Sequence, residues 1–219
     1  MSDAAIAAPG AVAPGPLEPE EAARAGFYAL LSRLYAGGPD AALLAAIAAA
    51  GPLPVEAAAG AKDAAGDLAS AWDALRAASA RAVPEAVAQE YDELFIGVGK
   101  SEVNLHASHW LTGFMMERPL AEVRGALARL GLERRPETSM VEDHLSALCE
   151  TMRILIAGQG KRLPVDIGEQ KAFFDRHVAV WVFPCCDAIS VCPLASFYRD
   201  VAQFTRFFLA LERDSFAME

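Results

Sequence analysis

Positive charge is scarce in this sequence. Its 219 residues hold 19 lysines and arginines against 29 aspartates and glutamates, a formal net charge of −10. Such a chain repels DNA and anionic membrane surfaces on average, and attracts partners that carry positive charge. The densest basic group is Arg124, Arg129, Arg134 and Arg135. It is interleaved with Glu122, Glu133 and Glu137 and reads as an ordinary solvated face. Cysteine is sparse too: Cys149, Cys185, Cys186 and Cys192, with no C-x-x-C spacing. That pattern is unlike a secreted disulfide framework, and reduced cytosolic thiols are expected. No apolar run reaches the roughly 18–20 residues that span a bilayer. The best candidate, Val178 to Cys192, is interrupted by Pro184 and Asp187. The first residues show neither a basic-then-apolar leader nor a twin-arginine pair, so a soluble cytoplasmic protein is expected.

The usual catalytic signatures are missing as well. There is no phosphate-binding G-x-x-x-x-G-K and no G-x-G-x-x-G. Gly97-Val98-Gly99-Lys100-Ser101 resembles the end of a phosphate loop, but lacks the first glycine and the preceding strand. No Glu-x-x-His pair is present to build a di-iron bundle site. His106 and His109 lie three apart, far in sequence from Cys185, Cys186 and Cys192. A mixed Cys/His zinc site would lack its usual short cysteine pairs. His144 and Cys149 are five apart on one helix and point about 140° away from each other, which argues against a nucleophilic pair. Neither a catalytic residue nor a cofactor or metal is expected, and the chain reads as a binding protein.

What the sequence does have is helical periodicity. Residues 1–17 are Ala, Pro and Gly with little to bury, and are expected to be a disordered tail before one domain over 18–219. Pro19, Glu20 and Glu21 suit a first helical turn. Phe27, Leu30, Leu31 and Leu34 continue it until Gly37 and Gly38. The spacing predicts further helices over 41–50, 61–80 and Pro84–Ile96, then a loop of about ten residues. Leu120, Val123, Leu127 and Leu130 mark another helix. Ser139 and Glu142 fit a capping box opening the next, through Leu145, Leu148, Met152 and Ile156. Asp166 and Glu169 cap a helix carrying Phe174, Val178 and Trp181. The last helix is expected from Pro193, with Phe197, Val201, Phe204, Phe208 and Leu211 on one face. Asn-Gly and Asp-Gly turns are absent. The fold class is all-α: a single-domain bundle of about eight helices, the count good to one or two.

Two constellations stand out. One is Tyr91-Asp92-Glu93-Leu94-Phe95, readable as an amphipathic helix end whose aromatics enter the core. The other is Glu142-Asp143-His144, two acids and a histidine at a helix start, where the dipole favours the acids. Taken in order, Tyr91-x-x-Leu94-Phe95, Ser108-His109-Trp110-Leu111-Thr112-Gly113, Pro119-Leu120 and Asp143-His144-Leu145 resemble the TorD/DmsD family of redox-enzyme maturation chaperones. Phe197-Tyr198 fits the same pattern, and the resemblance spans Glu20 to Phe216. One position departs. The family's second motif often reads Glu-x-Asp-His, whereas here Val141 stands two before Asp143 and the acid is Glu142.

The resemblance implies a TorD-like chaperone that binds the twin-arginine signal peptide of a molybdenum-cofactor oxidoreductase. Such a chaperone holds the apo-enzyme in the cytoplasm until its cofactor is inserted. Arginine makes bidentate bonds to carboxylates, so Asp92, Glu93, Glu142 and Asp143 are candidates to meet the arginines. Tyr91, Leu94, Phe95, Ser108, His109, Trp110 and His144 are candidates to line or support an apolar groove. The loop from Gly99 to Leu111 would adjust to the client. A monomer and a homodimer both remain open. Two other readings stand beside this one: an assembly chaperone of the nitrate-reductase type, with a client that is not exported, and a Cys/His metal-dependent or thiol-dependent enzyme.

Overall fold

The computed structural model describes residues 17–54, 62–97, 99–134, 138–160 and 162–218. The tail expected over 1–17 therefore lies almost wholly outside the described residues. Among them the chain is helical throughout, with no strand beyond two isolated bridges. The helices are α1 (Pro19–Ala36), α2 (Ala41–Ala49), α3 (Lys62–Arg81), α4 (Pro84–Tyr91), α5 (Ala107–Thr112), α6 (Arg118–Arg129), α7 (Leu145–Ala157), α8 (Ile167–Phe174), α9 (Val180–Val191) and α10 (Phe197–Phe216). Two wider π-helical turns, Asp92–Ile96 and Asp175–Ala179, extend α4 and join α8 to α9. The expected bundle of about eight helices is thus present, among the described residues, as nine continuous helical runs.

Local chemistry accounts for most boundaries. Asp40 caps α2 by accepting the Leu43 amide at 2.7 Å, and Asp166 caps α8 by accepting the Glu169 amide at 3.0 Å. Gly97 closes the first π turn at φ 64°, and a Cβ there would collide with the Lys100 carbonyl. In α1, Ala25, Tyr28, Leu31, Leu34 and Tyr35 form the buried stripe that packs along α7.

α10 organises the rest, packing on α3 and α9. Phe204 and Phe208 meet Phe27 of α1 edge-on at 5.2 and 5.3 Å, and Thr205 hydrogen-bonds the Tyr35 hydroxyl at 3.0 Å. The start of α10 corrects the expected one. The chain turns through Cys192–Ala195, and helix begins only at Phe197. The Ser196 side chain makes no cap. Instead the Glu90 carboxylate of α4 accepts the amides of Ser196, Phe197 and Tyr198 at 2.8, 3.1 and 2.8 Å. A remote carboxylate thus satisfies three donors that a helix start leaves open.

No helix among the described residues is long and apolar enough to cross a membrane. All four cysteines are free and buried, and burial pushes the thiols of Cys149, Cys185 and Cys186 up. Groups held in the thiol form are poor nucleophiles and poor metal ligands.

Candidate functional site

The sequence motifs converge at one end of the bundle. Tyr91 closes α4, and its hydroxyl donates to the Tyr35 carbonyl at 3.1 Å. Burial raises that hydroxyl to about 12, so it stays a donor. Its ring meets Phe95 at 5.1 Å, and Phe95 meets Tyr198 at 5.0 Å. Leu94 is fully buried. A π turn carries one residue more per hydrogen-bonded loop than an α turn, so it rotates the side chains that follow. Here Leu94 and Phe95 face inward while Asp92, Glu93 and Ile96 face solvent. Glu93 accepts from the Gln89 side chain at 2.8 Å.

From this turn the chain is handed to the second motif. The Leu94 carbonyl accepts the Val103 amide at 3.0 Å. Residues 105–107 then run antiparallel to 143–145. The Leu145 amide donates to the Leu105 carbonyl at 2.8 Å, and the Ala107 amide to the Asp143 carbonyl at 3.0 Å. The Asp143 side chain completes the clasp by accepting the Ser108 amide at 2.9 Å. Its other oxygen, and the Ser108 hydroxyl, are buried without a hydrogen-bond partner.

This clasp overturns two expectations. The loop expected from Gly99 to Leu111 is helical from Ala107, because Asp143 holds the first turn of α5. The capping box of Ser139 and Glu142 is not formed. Residues 142 and 143 form a turn and pairing with 105–107 keeps His144 extended, so α7 starts at Leu145 and His144 is its N-cap. Its Nδ1 accepts the Ser146 amide at 3.1 Å, which places the ring proton on Nε2. The His144 ring sits edge-on to His106 at 4.7 Å. Burial, then the neighbouring His106, lower it to about 3, and burial also lowers His106.

Glu142, freed from the cap, pairs with Arg124 at 3.0 Å and with Arg134 at 3.7 Å. It borders a cavity of about 370 Å³ between α1, α7 and the end of α6. Of the residues assigned to peptide contact, Tyr91, Leu94, Phe95, Ser108, Asp143 and His144 are thus interior groups that frame the site. Asp92 and Glu93 are exposed, and His109, Trp110 and Glu142 are half-buried.

Asn104 and the segment after α5 were not singled out in the sequence. Asn104 is a hub: its carbonyl accepts the Trp110 indole at 2.7 Å and its side-chain oxygen accepts the His106 amide at 2.9 Å. Four large apolar residues are exposed at the end of α5 and just beyond it, Leu111 in its last turn and then Phe114, Met115 and Met116, with Phe114 70% and Met116 67% exposed. Met116 holds φ 59°, an uncommon value for a residue with a side chain. Among the described residues no three His, Cys, Asp or Glu side chains converge as metal ligands do.

The family model for the nitrate reductase delta subunit matches residues 61–187, more than half of the chain. The chain belongs to this family. The model spans the Tyr91–Phe95, Ser108–Gly113 and Asp143–Leu145 motifs. The fold is that of redox-enzyme maturation chaperones of the TorD-like group, as the sequence motifs led us to expect. A solved structure of a candidate redox enzyme maturation protein from Archaeoglobus fulgidus is similar, with a TM-score of 0.57 over 85% of this chain and 93% of that one. At 17% identity that likeness is one of fold. Among curated proteins, none matches the chain.

Proposed function

We propose that the chain is a cytoplasmic chaperone that acts by binding, not by catalysis. It holds the twin-arginine signal peptide and the apo form of a molybdenum-cofactor oxidoreductase, assists cofactor insertion, and delays export until maturation. The observation that carries this reading is the apolar knuckle at the end of α5. Leu111, Phe114, Met115 and Met116 are exposed together in a chain that buries most of its large apolar residues. Exposed apolar patches mark interaction sites, and methionine adapts to partners of varied sequence. The knuckle is not a loose loop. The Asp143 clasp holds α5, Gly113 ends it at φ 82°, and the Asn104 amide reaches the Met115 sulfur at 3.4 Å. A signal peptide offers arginines followed by an apolar stretch. The knuckle suits the apolar stretch, and the net charge of −10 suits the arginines.

The test is calorimetric titration with a twin-arginine presequence peptide. Wild type is expected to bind in the micromolar range or tighter. The double variant Phe114→Ser, Met116→Ser is expected to keep its helicity and lose about ten-fold or more in affinity, as for two apolar anchors removed from a contact. Equal binding by both proteins moves the peptide away from the knuckle.

A second reading, favoured by the match to the nitrate reductase delta subunit family, is an assembly chaperone whose catalytic subunit is not exported. It predicts that a catalytic subunit without a presequence is bound and that the presequence peptide is not.

A further inference from the structure

We propose that the cavity between α1, α7 and the end of α6 is a guanidinium-binding site whose resting occupant is the chain's own Arg134. An arginine of the partner polypeptide takes its place on Glu142. The inference deepens the chaperone reading and rests on it for the identity of the partner.

The cavity, of about 370 Å³, has two kinds of wall. Leu127, Leu132 and Met140 are apolar, while Glu133, Glu142 and Glu150 supply carboxylates. An arginine needs that combination, because its stem packs on apolar surface while its planar head seeks a carboxylate. Glu150 is already held in a bidentate pair by Arg153, at 2.8 Å to each oxygen. Glu133 is exposed at the rim, whereas the Glu142 side chain is only 11% exposed and is the most buried carboxylate of the three.

Its two oxygens are unequally occupied. Arg124 of α6 donates through Nε to Oε2 at 3.0 Å, a proper hydrogen bond. Arg134 approaches Oε1 at 3.7 Å, too long for one. Arg134 spends its hydrogen bond on the Thr138 carbonyl at 2.7 Å. A guanidinium thus already sits in the cavity, but in a loose, partly exposed pair. Pairs of this kind contribute little. An arginine entering from outside, free to orient both of its donors, makes the stronger bond at Oε1. The Arg134 side chain then turns out to solvent, and its charge remains near the acidic rim at Glu133.

The test uses a blocked Arg-Arg dipeptide amide, with the Lys-Lys analogue as control, followed by NMR of the arginine Nε–H groups and by calorimetry. In wild type the Arg-Arg probe is expected to shift the Arg134 Nε–H resonance while Arg124 stays in place. Arg134→Gln, which removes the internal competitor, is expected to bind the probe about three-fold tighter, the scale of one exposed ion pair. Glu142→Gln is expected to bind it about ten-fold more weakly or worse. The Lys-Lys probe, a pair of point charges, is expected to bind less well than Arg-Arg. Arg134→Gln binding no tighter than wild type, or Glu142→Gln binding equally well, overturns the proposal. Should Glu142→Gln fail to fold, displacement of Arg134 in wild type decides. The presequence peptide is titrated in parallel. If it binds Glu142→Gln as tightly as wild type, the site is wrong and the chaperone reading stands. If the dipeptide enters the cavity while neither presequence nor catalytic subunit binds, the site stands and the chaperone reading falls.

Discussion

Mild acid should loosen this protein through His144, and the size of the effect follows from its setting. The ring is buried, its Nδ1 lone pair accepts the Ser146 amide at 3.1 Å, and His106 lies edge-on at 4.7 Å. Protonation would break the cap and place a charge beside a second imidazole. The folded pKa is therefore lowered to about 3, against 6.5 for an unperturbed histidine. A lowered value means that the folded state stays neutral while the unfolded chain takes up the proton. Stability is full above about pH 6.5 and is lost progressively towards the folded pKa. Between about pH 7 and about pH 5, the titration spans roughly one and a half units, or about 2 kcal/mol. For a chain of this size that is a fall in Tm of about 4–8 °C. His177, lowered to about 4 mainly by burial, acts in the same direction. Substitution His144→Asn keeps a good N-cap acceptor and removes the titrating group, so its difference from wild type isolates His144. Thermal unfolding followed by circular dichroism at the two pH values is the assay. The variant should lose markedly less stability on acidification. An identical fall in both proteins would show that His144 is not the group responsible.

Two further predictions concern the clasp and the remote cap. Asp143→Ala leaves the buried Ser108 amide without its acceptor and should cost about 1–3 kcal/mol in chemical denaturation, while Asp143→Asn, which still accepts that bond, should stay close to wild type. Equal losses in the two variants would show that charge, not the hydrogen bond, holds α5. Glu90→Ala opens three amides at the start of α10 and should cost about 1–2 kcal/mol. Hydrogen exchange should quicken at Ser196 to Tyr198 before it does in the middle of α10.

Much of the fold was legible in the sequence, for a physical reason. Helix starts such as Pro19 and Asp166, and apolar stripes such as Phe197–Val201–Phe204–Phe208, are local signals that tertiary contacts reinforce. The misreadings all have non-local causes. Ser139 and Glu142 satisfy the local rule for a capping box, yet pairing of 143–145 with 105–107 delays the helix to Leu145. The start of α10 was misplaced because its cap comes from Glu90, over a hundred residues away in sequence. The motifs at Tyr91–Phe95 and Asp143–His144 were found as patterns. Their inward orientation was hidden, because it depends on a π turn and a long-range clasp that periodicity does not encode. The exposed knuckle had a visible sign in Gly113-Phe114-Met115-Met116, an apolar run directly after a helix-ending glycine.

Binding of an immature redox enzyme is the activity on which the proposed role depends. Its most direct measurement is purification of the full chain from cells expressing it, with identification of the bound polypeptide and metal analysis of the complex. A maturation chaperone should carry a molybdenum-enzyme catalytic subunit without its cofactor and release it when the cofactor is supplied. Recovery of that subunit only in its cofactor-loaded form, or of no catalytic subunit at all, would contradict that role.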